Sequence, residues 1–315
     1  MNFEILYCFD KNYNIQAYSS MISLLDNVNE KLKINIIHSD KIGITELPNK
    51  IINHKNLDEV KIFNFNNKIN NFPNIENSHI SEATYYRFFI ADYIHQETEF
   101  LVYIDCDVIC ISNPLSLIKK NLKNLKNSKY VISAKTDLKK NLGSDVLFDD
   151  LLMSSENYFN AGVMIIDYQK WLSQNIEEKL IDKLNLLFTK VRFWDQDILN
   201  ATFDGSFQDL DKSLNHTFEI NNKINNKKDI EEQLNKKKIK LIHYHGSNKP
   251  WSIEGVLQNS STLYQENFRK LGFGKYHITH RWKKHSFNYL VKEIFNLRIP
   301  KFDLLIQIIK SFIVF

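Results

Sequence analysis

The chain of 315 residues is poor in glycine and poorer in proline, with 8 Gly and 5 Pro. That scarcity excludes a loop-dominated or collagen-like protein and predicts helices and strands joined by plain connections. Cysteine is scarcer still, limited to Cys8, Cys106 and Cys110. The number is odd, the spacing is not that of a zinc site, and the thiols sit in strand-like runs. Buried free thiols in a reducing compartment are expected, not a disulfide framework. No apolar run reaches the roughly 18 residues of a membrane-spanning helix. The chain opens directly on a strand pattern, Phe3 to Phe9, with no basic stretch and long apolar stretch ahead of it, so no secretory signal is expected. An excess of one charge is also missing. Lys and Arg number 41 against 37 Asp and Glu, a net charge of +4. That is too little to imply nucleic acid, and no nucleic-acid partner is expected.

What is present is the makings of a core: 43% hydrophobic and 25% charged residues. The length suits one large domain, or one domain with an appendage. Strand patterns at Phe3–Phe9, Ile34–His38 and Val60–Phe65 alternate with an apolar helical stripe at Ala17, Met21, Leu24 and Leu25 and a weaker helical segment, 44–52, interrupted by Pro48. This alternation predicts a parallel sheet with helices on its faces. Ser81 is placed to cap a helix running to about Tyr93, and Pro114 to open a short one. A strand is expected over 130–134, and an amphipathic helix over 171–189. The stretch 135–157 reads either as a lid over a site or as a long surface loop, and 221–240 as a polar surface insertion.

The run Phe100-Leu101-Val102-Tyr103-Ile104-Asp105-Cys106-Asp107-Val108-Ile109-Cys110-Ile111 reads as a buried strand broken by two carboxylates. Ionised carboxylates among apolar residues are costly unless paired, and no Lys or Arg is near in sequence. Residues i and i+2 of a strand share a face, so Asp105 and Asp107 are expected to point the same way. Two oxygen ligands aimed at one point suit Mg²⁺ or Mn²⁺. If the strand ends there, the pair lies where open α/β sheets bind ligands. The plain alternative is a turn whose Asp side chains are satisfied by backbone amides.

Other strings stand in order along the chain. They are Asp10-x-Asn12-Tyr13 after the first strand, His79-Ile80-Ser81 with Thr84-Tyr85 and Arg87, then Tyr103 to Val108. Tyr158-Phe159-Asn160-Ala161-Gly162-Val163, Asp195-Gln196-Asp197-Ile198-Leu199-Asn200 and His243-Tyr244-x-Gly246-Ser247-x-Lys249-Pro250-Trp251 follow. Together, over residues 3–251, they resemble the retaining bacterial glycosyltransferases of glycosyltransferase family 8. These are the lipopolysaccharide and lipooligosaccharide galactosyl- and glucosyltransferases, distantly related to glycogenin. The resemblance implies a GT-A fold: a Rossmann-like, nucleotide-sugar-binding mixed α/β sheet flanked by helices, here over residues 1–274. It also implies a divalent metal and a UDP-sugar donor.

By the same resemblance, Asp105, Asp107 and His243 hold Mn²⁺ or Mg²⁺, with Cys106 between the carboxylates counted among the donor-site residues. Asp10, Asn12 and Tyr13 face uracil and ribose. His79 and Arg87 lie near the diphosphate and sugar, Gly246 and Lys249 at the diphosphate, and Asn160 and Ala161 beside the donor sugar. Asp137 is matched to an acidic sugar-binding position. Asp195 and Gln196 are matched to positions beneath the sugar ring and carry the catalytic assignment. With no strong nucleophile there, front-side retention is favoured, in which the leaving phosphate helps deprotonate the acceptor. Double displacement through Asp195 is the alternative. Residue by residue, simpler readings stay open: Asx turns and caps for Asp10 and Asp195, a solvated charge for Arg87, a strand-end histidine for His243, a surface turn for Gly246 and Lys249.

The last stretch, 275–315, differs in character. Phe287, Leu290, Val291, Ile294 and Phe295 make one apolar stripe, and Leu304, Leu305, Ile308, Ile309 and Phe312 a second after Pro300. Arg281, Lys283, Lys284, Lys292, Arg298, Lys301 and Lys310 surround them. A basic amphipathic helix pair is expected, lying on an anionic membrane at the inner, cytoplasmic face. Packing on the core or on a second subunit is the alternative. The expected activity is transfer of galactose or glucose from UDP-galactose or UDP-glucose to an oligosaccharide or lipid-linked glycan. A glycogenin-like self-glucosylating protein and a non-catalytic nucleotide-sugar-binding scaffold are the competing readings.

Overall fold

A computed structural model of the chain describes residues 2–40, 43–66, 72–73, 81–140, 143, 145–218, 226–246, 248–279, 284–295 and 302–313. Strand β1 (Phe3–Phe9) leads through a 3-10 turn (Lys11–Tyr13) into α1 (Asn14–Asn27). Then come β2 (Leu32–His38), α2 (Asn49–Ile52) and β3 (Leu57–Asn64). A 3-10 helix (Glu82–Phe89) runs into α3 (Ile90–Tyr93). It is followed by β4 (Phe100–Ile104), β5 (Val108–Cys110), α4 (Leu115–Lys126), β6 (Ile132–Lys139), α5 (Asp145–Asp150) and β7 (Asn157–Asp167). The second half holds α6 (Tyr168–Ser173), α7 (Ile176–Leu187), α8 (Trp194–Phe203), β8 (Gln208–Asp209), β9 (His216–Thr217), α9 (Lys227–Lys236) and β10 (Leu241–His243). It closes with α10 (Ile253–Val256), α11 (Thr262–Lys270), α12 (Lys284–Phe295) and α13 (Phe302–Ile313).

The main sheet has the order β3-β2-β1-β4-β7-β6-β8. Strands β3, β2, β1 and β4 are parallel, as the βαβαβ pattern predicts, while β7 runs antiparallel to β4 and β6. Strand β1 shows why its sequence is apolar almost throughout. Ile5, Tyr7 and Phe9 pack under α1 and α4, and Leu6 and Cys8 face the layer that includes α6, α7 and α8. A strand covered on both faces has no side left for polar residues. All three cysteines are buried and free, as expected.

Four expectations are corrected. The run 100–111 is not one strand. β4 stops at Ile104, residues 105–107 turn, and β5 pairs with β10 in a separate sheet of order β5-β10-β9. A bond from Val108 N to Asp105 O at 3.1 Å closes the turn. The helix expected from Ser81 is capped there, with Ser81 Oγ accepting from Ala83 N at 3.2 Å, but is mostly 3-10. The helix expected over 171–189 is two, because Asn175 takes a left-handed conformation (φ +50°) between α6 and α7. Asn tolerates that region better than most residues. The stretch 135–157 is not a plain loop: β6 carries it to Lys139, and α5 follows.

The tail forms the two expected helices. Leu290, Leu304 and Ile308 are buried with Ile253 and Val256 of α10, so part of the apolar stripe packs on the protein itself. Ile294, Phe295, Phe302 and Ile309 remain exposed. Phe287, Phe312, Arg281, Lys283, Arg298 and Lys301 lie outside the described side chains. Among the described residues, no helix is long and apolar enough to cross a membrane.

Candidate active site

In strand order β1 stands between β2 and β4, so the connections leaving β1 and β4 part to opposite sides. Parallel sheets bind ligands at such a switch point, beyond the carboxyl ends of the strands. A cleft opens there, lined by Cys8, Phe9, Tyr13, Ser81, Ala83, Thr84, Tyr103, Asp105, Cys106, Asp107 and Lys249. The N-terminal motif borders it as a cap as well as a wall: Asp10 accepts from Asn12 N at 2.8 Å. Tyr13 meets Trp251 edge-on with centroids 6.4 Å apart.

Asp105, Asp107 and His243 come together, with one potential ligand atom from each lying within 4.8 Å of the others. The convergence comes from the 105–107 turn and from β10 lying beside β5, where His243 is paired with Val108. Strand alternation is not its cause. The proton on His243 can be placed by following the hydrogen bonds from a backbone donor whose identity is fixed. Gly162 N donates to Asn160 Oδ1 at 3.0 Å, so that oxygen is an acceptor. Asn215 Nδ2 therefore donates to it at 2.9 Å, which turns Asn215 Oδ1 toward His243 Nδ1 at 3.0 Å. Nδ1 carries the proton, and Nε2 presents a lone pair. That lone pair faces Asp107 Oδ1 at 3.2 Å, and Oδ1 is buried without a hydrogen-bond partner. Two groups held this close are satisfied by a cation between them or by a proton on Nε2. The donor set, two carboxylates and one imidazole, fits Mn²⁺ or Mg²⁺.

Arg87 binds the other side of the site. It is 3% exposed. It donates to Thr84 O at 3.0 Å, Ala161 O at 2.7 Å and Asp105 Oδ1 at 3.3 Å, and its Nε lies 2.9 Å from Asp195 Oδ2. Its guanidinium lies over the Tyr103 ring, 3.9 Å from the centroid. The 3-10 geometry makes this possible, because residues i and i+3 eclipse and Thr84 stands beside Arg87. Thr84 Oγ1 also donates to Asp195 Oδ1, and Tyr103 to Asp105. Burial pushes the Asp105 carboxyl up, against the pull of Arg87. Burial likewise raises Asp195 to about 6, with Arg87 and Thr84 opposing. At Asp107 burial also disfavours ionisation, but the Lys249 ammonium outweighs it and holds the carboxyl well below its ordinary range.

Strand β7 opens where it meets the site. Met164 pairs with Ala134 and Asn160 with Lys135, so residues 161–163 have no partner on β6. Other groups satisfy this backbone. Ala161 N donates to Gln196 Oε1 at 2.9 Å, Ala161 O accepts from Arg87, and Gly162 O accepts from Asp105 N at 2.8 Å. Asn200 acts like a piece of strand, accepting from Phe159 N at 2.7 Å and donating to Phe159 O at 2.9 Å. Helix α8 begins on Trp194 at φ +50°, a strained conformation for a bulky residue. Asp197 supports the entry by accepting from Arg192 N at 2.6 Å and Phe193 N at 2.7 Å.

Most of the expected site is thus assembled: Asp105, Cys106, Asp107, Arg87, Asn160, Ala161, Asp195, Gln196, His243 and Lys249 adjoin one another. Lys249 Nζ donates to Asp107 Oδ2 at 2.7 Å. Gly246 takes φ +84°, open to glycine and strained for other residues, with nothing within 4 Å of a Cβ there. Asp137 lies 3.9 Å from Lys135 Nζ, on β6. His79 lies outside the described residues. Three further residues support the site. Asn215 orients His243. Gly162 is needed because a Cβ would lie 2.2 Å from His243 Cε1. Gly255 is needed because a Cβ would lie 1.9 Å from the Lys249 carbonyl oxygen. Of the three, only Gly162 was legible, as part of the Tyr158–Val163 string and one of just eight glycines.

Comparison with known proteins agrees with this geometry. The chain is 30% identical over 263 residues to general stress protein A of Bacillus subtilis (strain 168), covering 79% of this chain and 87% of that protein. It is 28% identical over 257 residues to a lipopolysaccharide 1,2-glucosyltransferase of Escherichia coli, covering 79% and 73%. Against the lipopolysaccharide 1,3-galactosyltransferase of Salmonella typhimurium it is 26% identical, covering 68% of this chain and 62% of that protein. The solved structure of the galactosyltransferase LgtC, in complex with donor and acceptor sugar analogues, matches with a TM-score of 0.67 at 18% identity. It covers 89% of this chain and 98% of that one, which establishes the GT-A fold. The sequence profile of glycosyl transferase family 8 spans residues 4–255, and the chain belongs to that family.

Proposed function

We propose that the protein transfers galactose or glucose, with retention at the anomeric carbon, from a UDP-sugar to a lipopolysaccharide, lipooligosaccharide or other surface glycan. The observation that carries the reading is the pair of facing acceptors, Asp107 Oδ1 and His243 Nε2, with Asp105 beside them. Asp105, Asp107 and His243 would hold Mn²⁺ or Mg²⁺. Such an ion, when bound, supplies Lewis-acid stabilisation of the departing diphosphate.

The remaining chemistry belongs to the chain. Asp10, Asn12 and Tyr13 receive uracil and ribose, and Lys249 and Gly246 the diphosphate. Arg87 keeps Asp195 turned toward the sugar pocket, whose other walls are Asn160, Ala161 and Asp137. Gln196 is held by the Ala161 amide and by its own bond to the Tyr158 hydroxyl at 3.2 Å, which fixes its side chain beside the donor sugar. Asp195 is 3% exposed and engaged by both Arg87 and Thr84. A carboxylate hydrogen-bonded on one oxygen and ion-paired on the other is a poor nucleophile, which supports front-side displacement with the leaving phosphate taking the acceptor proton. A glycosyl adduct on Asp195 found by mass spectrometry would reverse that choice.

The test is UDP release from UDP-galactose and UDP-glucose, with and without Mn²⁺. Transfer should require the ion and be lost in Asp105→Asn. Full activity in that variant, or in chelator, sinks the reading. We also place the enzyme at the cytoplasmic face of the membrane, with 275–315 resting on anionic lipid. Exposed Phe295 and Phe302 beside Lys292 and Lys310 support this contact. Co-sedimentation with anionic but not neutral vesicles, lost in Phe295→Ser/Phe302→Ser, is the expected result.

A further inference from the structure

Lys249 and a divalent cation draw on the same carboxylate. Lys249 Nζ donates to Asp107 Oδ2 at 2.7 Å and to the Tyr244 carbonyl at 2.8 Å. The backbone beneath it is pinned. Ser252 N and Ser252 Oγ donate to Lys249 O at 2.9 and 2.8 Å, Gln265 Nε2 donates to Pro250 O at 2.9 Å, and Gly255 packs directly on the same peptide. The long side chain is the part of this loop that can turn.

Charge balance shows what turning would do. Three carboxylates (Asp105, Asp107, Asp195) stand against two fixed cations (Arg87, Lys249), a formal sum of −1. A divalent ion brings the sum to +1, an excess that burial penalises. A diphosphate corrects the excess and offers Lys249 a second anion.

We infer that Lys249 is a transferable counter-cation, on Asp107 when no nucleotide is bound and on the diphosphate when one is. The exchange makes the metal and the nucleotide bind cooperatively. The inference rests on the UDP-sugar reading above. It goes further in assigning Lys249 a cost: in the absence of nucleotide, the residue opposes the metal.

Mn²⁺ titration of the full chain, by calorimetry and by the electron paramagnetic resonance of free Mn²⁺, tests this. In the wild type, saturating UDP should tighten Mn²⁺ by at least about tenfold and uridine should not, and by reciprocity Mn²⁺ should tighten UDP equally. Lys249→Met, confirmed folded by its melting curve, should bind Mn²⁺ alone at least about fivefold tighter than the wild type, since a buried like charge is gone. Its UDP coupling should shrink by a similar factor. Lys249→Gln should behave as Lys249→Met, and Lys249→Arg as the wild type. Mn²⁺ affinity unchanged or weaker in both neutral variants overturns the inference and leaves the proposed function standing. A wild type that binds no Mn²⁺, with or without UDP, sinks the proposed function and the inference with it.

Discussion

The two flanks of the carboxylate turn solve one problem in opposite ways. On one flank a single cation, Arg87, serves two acids, Asp105 and Asp195. On the other, one acid, Asp107, is served by two nitrogen groups, Lys249 and His243. The first flank is short of positive charge, and its carboxyls are pushed up by burial. The second is balanced, one ammonium against one carboxylate, and its carboxyl is held down. One side is built to stay as it is and the other to exchange partners. That difference suits the proposed site, which would hold a sugar in place and release a diphosphate.

The comparison can be broken most severely at Arg87. Arg87→Met strands two buried carboxylates, and removing one partner of a buried ion network costs about 3–5 kcal/mol. Denaturant unfolding should show that loss at pH 7 and a smaller one near pH 4, where the stranded acids are protonated.

Next in size is the pH response of Asp195. Its unfolded carboxyl ionises near the ordinary value of 3.8 and the folded one near 6. Between those values the unfolded state releases its proton first, so this residue's contribution to stability falls as pH rises and is flat above 6. The full span is about 3 kcal/mol. Asp195→Asn should remove that downward slope in unfolding measurements from pH 4 to 7. Asp107→Asn should remove a slope of opposite sign below pH 4, because a depressed carboxyl loses its contribution as pH falls.

Gly162→Ala probes the seam between the flanks. Its methyl group would collide with the His243 ring, which the Asn215 bond holds in place. Overpacking of this kind costs about 1–3 kcal/mol, and Mn²⁺ affinity should fall with it. An effect no larger is expected from Asn215→Ala, which leaves every ligand present and removes two buried hydrogen bonds, to His243 Nδ1 and to Asn160 Oδ1. Loss of such a support typically weakens a metal about 10- to 100-fold, read by the same Mn²⁺ titration, and the unpaired groups should cost about 1–3 kcal/mol in unfolding.

The residues proposed to touch ligands were the legible part of this chain. Asp105, Asp107, His243, Lys249 and Gln196 have side chains whose chemistry announces itself, and their order along the chain carries family information. The parallel half of the sheet was legible too, because strands covered on both faces leave continuous apolar runs. The supports were not. Asn215 stood in no string, and Asn200 and Gly162 stood in strings that carried no sign of a supporting role; those roles exist only after β7 opens and β9 comes alongside β10. The run 100–111 read as one strand because both sheets bury their strands, and hydrophobicity does not record a change of sheet. The 3-10 geometry beside Arg87 was hidden for a similar reason. Ala83, Tyr86, Phe89 and Ile90 suit a helical stripe at either pitch, and buried contacts with Asp195 and Ala161 decide between them.

The passage of that one run from β4 into β5 has a mechanical consequence. The turn carrying the carboxylates is the short splice between two layers that otherwise could slide. A ligand seizing the turn acts as a rivet through both, so amide exchange should slow together at 101–104 and at 241–243, and the molecule should stiffen there without any flap having to shut.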